Sequence, residues 1–225
     1  MTTTPKPLRV VVLVSGNGSN LQAILDAAAS GELPVQVAAV ISNRPKAFAL
    51  ERARRVGVDT HVVDHRAYTE RSAFDRALQQ AIDRYDPQLV VLAGFMRIFT
   101  AELVRHYHGR MLNIHPSLLP ALRGLDTHAR ALEQGAQRHG ASVHFVTDEL
   151  DGGPVVVQAE VPVRPDDTPE RLGARVLEQE HRLYPLAIRW FAEGRLRLED
   201  DTATLDGEPL RTPRRLGVDP AGASP

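Results

Sequence analysis

Asn113 and His115 stand two apart in "RMLNIHPSLLP", at the end of an apolar run that two prolines close. Alternate residues of a strand leave the same face, so a carboxamide and an imidazole would project together where the strand ends. A carboxamide N–H can donate to an oxyanion, and an imidazole can move a proton near neutral pH. Such an imidazole needs a carboxylate to orient it. The stretch "TDELDGG" offers three, Asp148, Glu149 and Asp151, and any of them could serve if the preceding strand lies beside "RMLNI". No G-x-S-x-G elbow is present, so the set points to direct transfer to an amine without a covalent enzyme intermediate. Taken singly, His115 reads as a core histidine, Asn113 as a turn residue and Asp151 as a turn former. Their joint placement at strand ends of one sheet favours the site. His106, His108, His128, His139 and His144 lack the H-E-x-x-H spacing of a helical metal site, and no metal is expected.

A second candidate is "VSGNGSN", between an apolar run and a helical pattern. Backbone N–H groups at a helix start attract anions, and glycine lets a phosphate come close. Gly16 and Gly18 give G-x-G, but Leu21 occupies the third glycine position of a dinucleotide fingerprint, and no Gly-Lys-Ser/Thr follows. Two readings are open: a tight turn capped by Ser19, or a site for a single phosphate held by Gly18, Ser19 and Asn20 through N–H groups and side chains. The second is preferred.

These residues must be positioned by a regular frame. "LRVVVLVSG", "VQVAAVIS", "THVVD", "PQLVVLAG" and "RMLNI" read as strands, and "SNLQAILDAAASG", "KAFALERARRVG", "TERSAFDRALQQAIDRYD" and "TAELVRHY" as helices between them. That alternation implies crossover units and a mostly parallel, Rossmann-like α/β sheet flanked by helices. The second half adds "GASVHFVTD" and "PVVVQAEVPV", a long helix from Thr168 to Glu193, and "RLRLED"/"TATLDG" as a terminal hairpin, so an antiparallel strand or hairpin is expected there. A single domain over residues 1–211 and a flexible tail over 212–225 are expected. The segment "ALRGLDTH" after Pro120 finds no place in this frame.

The 225 residues carry 27 Lys plus Arg against 28 Asp plus Glu, and no cysteine. The balance gives no electrostatic reason for nucleic-acid or membrane binding. Lack of cysteine excludes disulfides and thiolate chemistry. No leader is legible ahead of the first strand, no apolar run spans a bilayer, and a cytoplasmic protein acting on small molecules is expected.

Three stretches, "VLVSGNGSNLQAI", "AGFMRI...LNIHPSLLP" and "HFVTDELDGGPVVVQAEVPV", strongly resemble the folate-dependent glycinamide ribonucleotide formyltransferase family of purine synthesis, in order over nearly the whole chain. The resemblance implies 10-formyltetrahydrofolate as donor and 5-phosphoribosylglycinamide as acceptor. It implies that Asn113, His115 and Asp151 are catalytic, and that Gly18, Ser19, Asn20 and Glu180 hold the ribonucleotide. It places Arg71, Met96, Arg97, Ile98, Phe99, Asn113, Thr147, Asp148, Glu149, Leu150 and Asp151 in the folate site. A monomer or weak homodimer is expected. Formyltetrahydrofolate deformylase shares the catalytic set but adds an N-terminal domain for which no room is expected. Methionyl-tRNA formyltransferase adds a C-terminal domain and binds RNA. A non-catalytic phosphate-ligand binding module would need no Asn–His–Asp set.

Overall fold

The computed structural model describes residues 7–216, and the fold is given for these. In chain order the first half is β1 (Leu8–Val14), α1 (Ser19–Ala29), β2 (Val35–Ser42), α2 (Phe48–Arg55), β3 (Asp59–Val62), α3 (Arg71–Asp83), β4 (Leu89–Leu92), α4 (Ala101–His106) and β5 (Met111–His115). Then follow α5 (Thr127–Glu133), β6 (Arg138–Phe145), β7 (Val155–Pro162), α6 (Pro169–Ala192), β8 (Leu196–Glu199), β9 (Thr202–Leu205), β10 (Glu208–Pro209) and β11 (Arg214–Leu216).

Eight strands form one sheet in the order β11-β7-β6-β5-β4-β1-β2-β3. The run β3-β2-β1-β4-β5 is parallel. β6 and β7 enter antiparallel, and β11 lies parallel to β7. The chain winds outward from β1 to β3, then crosses back to β4. That reversal places a crevice beyond the carboxyl ends of β1 and β4, where ligands of open α/β sheets bind.

The uninterrupted apolar strands follow from burial on both faces. Val10, Val12, Val14, Leu89 and Val91 enter one core with Leu21 and Ile24 of α1, Leu50 of α2 and Leu183 of α6. Val11, Leu13, Val90 and Leu92 enter the other, with Phe74 and Leu78 of α3 and Leu103 of α4. β5 obeys the same alternation: Leu112 and Ile114 join the first core and Met111 the second. Asn113 and His115 are in phase with Met111, so they continue the second face as polar groups where its apolar packing ends.

α6 begins as its sequence dictates. Thr168 Oγ1 accepts the Arg171 N–H at 3.3 Å and Pro169 occupies the first turn. Further along, the Tyr184 hydroxyl lies 2.8 Å from Leu92 O and 2.9 Å from Leu112 O. It ties α6 to the ends of β4 and β5, and so fixes Glu180 one turn earlier.

Several local expectations are corrected. Ser19 does not cap α1; it is the first helical residue, and Gly18 is the N-cap in a left-handed conformation, with φ 78°. The segment that found no place is a turn leading into α5, which buries only Thr127 and Ala131 and is too short to show a period. The terminal hairpin is present as β8 and β9, closed by Asp200 and Asp201 at φ 47° and 58°, and β10 widens it to three strands. Within the segment expected to be a loose tail, residues 214–216 form β11; residues 217–225 lie outside the described residues. Among the described residues, no helix is long and apolar enough to cross a membrane.

Candidate active site

The glycine loop leaves β1 and is fastened from outside. Ala49 N donates to Gly16 O at 3.1 Å, and Arg52 donates to Asn17 O and Oδ1, each at 2.9 Å. Gln22 N returns to Gly18 O at 2.9 Å, so the N–H groups of Ser19, Asn20 and Leu21 precede the first intrahelical bond, and no side chain caps them. These donors sit at the positive end of an eleven-residue helix. Gly18 is needed for a steric reason besides its φ. A Cβ there would lie 2.5 Å from Ala49 Cβ, whereas one on Gly16 would meet nothing within 4 Å. The Asn20 side chain turns away from the loop: its Nδ2 donates to Glu180 Oε2 at 2.7 Å, and its Oδ1 is buried without a protein partner. Burial pushes the Glu180 carboxyl upward, and the Asn20 amide partly opposes this. A buried carboxylate and an unused carbonyl oxygen beside three helix N–H groups form a socket for a polar ligand.

At the end of β5 the three catalytic candidates converge. His115 Nδ1 lies 3.5 Å from Asp151 Oδ2, and both side chains are about nine-tenths buried. Of the three carboxylates in the loop, Asp151 is the one that reaches the imidazole; Glu149 instead pairs with Arg123. The other ring nitrogen, Nε2, donates to Leu122 O at 2.9 Å. Both ring nitrogens therefore face oxygen atoms, which fixes the plane of the imidazole. Asp151 has φ 48°, and its Oδ2 also accepts the Gly124 N–H at 2.9 Å. The turn holding Leu122 and Gly124 thus closes over the imidazole and its carboxylate. Of the two glycines after Asp151, Gly153 is sterically required because it faces backbone, whereas Gly152 faces only the movable Glu149 side chain. A Cβ on Gly153 would lie 1.9 Å from Phe145 O, and one on Gly152 2.4 Å from the Glu149 carboxyl.

His144 is a site residue that sequence reasoning missed. Antiparallel pairing sets it opposite Asn113. Its Nδ1–H donates to Phe145 O at 2.8 Å, so Nε2 carries a lone pair and accepts from Asn113 Nδ2 at 3.0 Å. Burial drives its basicity down, against the opposing effects of the Phe145 carbonyl and Asp151. A neutral His144 thereby fixes which way the Asn113 amide points and leaves that amide's second N–H for a ligand. The register of β5 against β6 was the only signal for this, and spacing along one chain does not carry it.

A cleft of about 90 Å³ opens beside this cluster. Arg97, Ile98 and Phe99 form one wall and residues 147–151 the other, with Asn113 and His144 between them. Leu92, Phe95, Val104 and Val146 make its interior apolar. Two residues expected in the folate site do not line it: the Met96 side chain is 55 % exposed, and Arg71 sits on the first turn of α3, where its charge faces Asp75. A larger groove of about 600 Å³ between α1 and α6 contains none of the residues expected to do chemistry. Among the described residues, no group of three or more His, Cys, Asp or Glu side chains converges as a metal site would require.

Asn113, His115 and Asp151 thus gather at the end of β5, beside the crevice between β4 and β1, with a helix N-terminus and an apolar cleft nearby. The chain belongs to the formyl transferase family, whose model matches residues 8–188. Within that family it is 56 % identical over 203 residues to the phosphoribosylglycinamide formyltransferase of Escherichia coli strain K12, covering 90 % of this chain and 96 % of that one. It is 41 % identical over 196 residues to the human trifunctional purine biosynthetic protein adenosine-3, covering 87 % of this chain and 19 % of that protein. The solved phosphoribosylglycinamide formyltransferase of Coxiella burnetii superposes with a TM-score of 0.90 at 50 % identity, over 94 % of this chain and all of that one.

Proposed function

We propose that this chain transfers the formyl group of 10-formyltetrahydrofolate to the amine of 5-phosphoribosylglycinamide, giving the formylated ribonucleotide and tetrahydrofolate in purine synthesis. The observation that carries the reading is the placement of His115, 3.5 Å from Asp151 and two residues from Asn113, between an anion-binding helix start and an apolar cleft. In this reading the phosphate rests on the first-turn N–H groups of α1, and Glu180 with Asn20 holds the polar body of the acceptor. The pterin enters between Arg97–Phe99 and residues 147–151. The amine attacks the formyl carbon, and negative charge gathers on the formyl oxygen. The second N–H of Asn113, kept in place by His144, meets that oxygen together with His115. A proton leaves the attacking nitrogen and reaches N10 of the leaving folate, with His115 Nε2 exchanging its bond to Leu122 O for the substrate and acting as the acid and base, and Asp151 balancing its charge. The remaining acceleration comes from holding both substrates in one crevice.

Hydrolysis of the same donor would need no acceptor socket, and the buried Asn20–Glu180 pair argues for a second substrate. The test is a folate absorbance assay with purified protein, run with no acceptor, with the ribonucleotide, and with the phosphate-free riboside. The proposal expects turnover with the ribonucleotide alone, and riboside efficiency lower by several orders of magnitude, because remote binding energy is used at the reacting centre. Equal rates without acceptor would replace it with a hydrolase.

A further inference from the structure

Ser15, the residue of the glycine loop that directly follows β1, is 2 % exposed and bonds to both sides of the crevice. Its N–H donates to Gly94 O at 3.1 Å, and its Oγ accepts the Met96 N–H at 2.8 Å. The hydroxyl proton goes to Asn43 Oδ1 at 2.6 Å. Asn43, 1 % exposed at the end of β2, is held in turn by His65, whose Nδ1 lies 2.8 Å from Asn43 O. The segment that Ser15 grips leads directly into Arg97, Ile98 and Phe99, the wall of the donor cleft. That wall has no regular secondary structure. Its placement rests on a few fastenings, the far one being Thr100 N–H on Asp75 Oδ2 at 2.6 Å. Immediately after Ser15 come the residues that lead to the anion-binding start of α1.

We propose that Ser15 is a positioning residue for the transfer step. Its hydroxyl sets the gap between the acceptor loop and the donor wall, and hence between the attacking amine and the formyl carbon. This rests on the reaction proposed above. The physical demand is strict: two bound reactants must meet at about 3–3.5 Å, and about 1 Å of misplacement can cost on the order of 10²-fold in rate. A serine hydroxyl accepts one strong hydrogen bond and donates another through a single oxygen. Alanine at this position leaves the Met96 N–H without its acceptor and Asn43 Oδ1 without its donor. The wall can then settle elsewhere while the helix N–H groups stay where they were.

The test compares full-length wild type, Ser15→Ala and Ser15→Cys in steady-state formyl transfer, with active sites counted and thermal midpoints recorded. The expected result for Ser15→Ala is kcat per active site lower by about 10- to 100-fold, and KM for the ribonucleotide changed less than about threefold. Ser15→Cys, a weak donor and acceptor of similar shape, falls between, and it carries the measurement if the alanine protein does not fold. A purely structural serine would lower the thermal midpoint and leave kcat per active site alone. Values of kcat within twofold of wild type in the folded variants would overturn the assignment. A wild type that transfers nothing to the ribonucleotide would instead overturn the reaction itself, so the two failures are distinct.

Discussion

Asn113 and His115 are each set by a neighbour that the sequence does not place beside them. His144 turns the Asn113 amide, and the backbone of Leu122 holds the outer nitrogen of His115. His115→Ala and Asp151→Asn are expected to lower kcat by about 10²–10⁴, the usual cost of losing a positioned acid/base. Ribonucleotide affinity, measured by calorimetry, should stay near wild type, since neither residue touches α1. A His115→Ala protein with near-normal turnover would remove the mechanism. The types and spacing of Asn113, His115 and Asp151 were legible because strand periodicity and the loop carboxylates are local signals. His144 was not, because its role depends on strand register.

At the level of elements, the turn from β1 into α1 separates two glycines that look alike in sequence. Gly18 holds φ 78° against Ala49, whereas Gly16 faces open space. Gly18→Ala is therefore expected to act through the fold, lowering the thermal midpoint by several degrees, since left-handed strain and contact with α2 add. Gly16→Ala should leave the midpoint within about 1 °C, for want of a clash, and raise KM for the ribonucleotide by narrowing the approach to the helix N–H groups. The reverse pattern in melting curves and kinetics would return Gly18 to the role of a phosphate gate. α6 offers a second check. Thr168→Ala removes its cap at a cost of about 1 kcal/mol, or about 2–4 °C in a chain of this size. Long elements such as α6 were legible from their caps and stripes. α5 and β11 were not, since seven and three residues are too few to carry a period.

Across the whole molecule, buried imidazoles tie stability to pH. Burial, aided by its neighbours His128 and His115, holds His139 down at about 4, and His128 and His144 are lowered in the same direction. His128 Nδ1 and His139 Nε2 sit 3.0 Å apart, joining α5 to β6 beside the turn that covers Asp151. The unfolded chain binds protons at these sites from about 6.5 downward, while in the folded chain His139 and His144 resist them to about 4 and His128 is lowered in the same sense. Stability contributed by these rings is thus complete above the unfolded value and is lost as pH falls across that window. Burial raises Asp75 and Glu180, which work in the opposite sense, though each keeps a hydrogen bond that favours its charged form. The thermal midpoint should fall between pH 7 and 5, and His139→Gln should flatten that slope. A slope unchanged by His139→Gln would show that the acid sensitivity lies elsewhere. The parallel half of the sheet was legible from alternating apolar runs. The meeting of its two faces at the switch point was not, because contacts between α1 and α6 and between β5 and β6 are long-range.

On this chain the formyl carbon is expected to pass from folate to the amine of the ribonucleotide. The most direct measurement follows a ¹³C-labelled formyl group by mass spectrometry, with purified protein, labelled 10-formyltetrahydrofolate and 5-phosphoribosylglycinamide. The expected result is label in the formylated ribonucleotide, equimolar with tetrahydrofolate and with no build-up of labelled formate. Label recovered as formate, at the same rate whether or not the ribonucleotide is present, would contradict it.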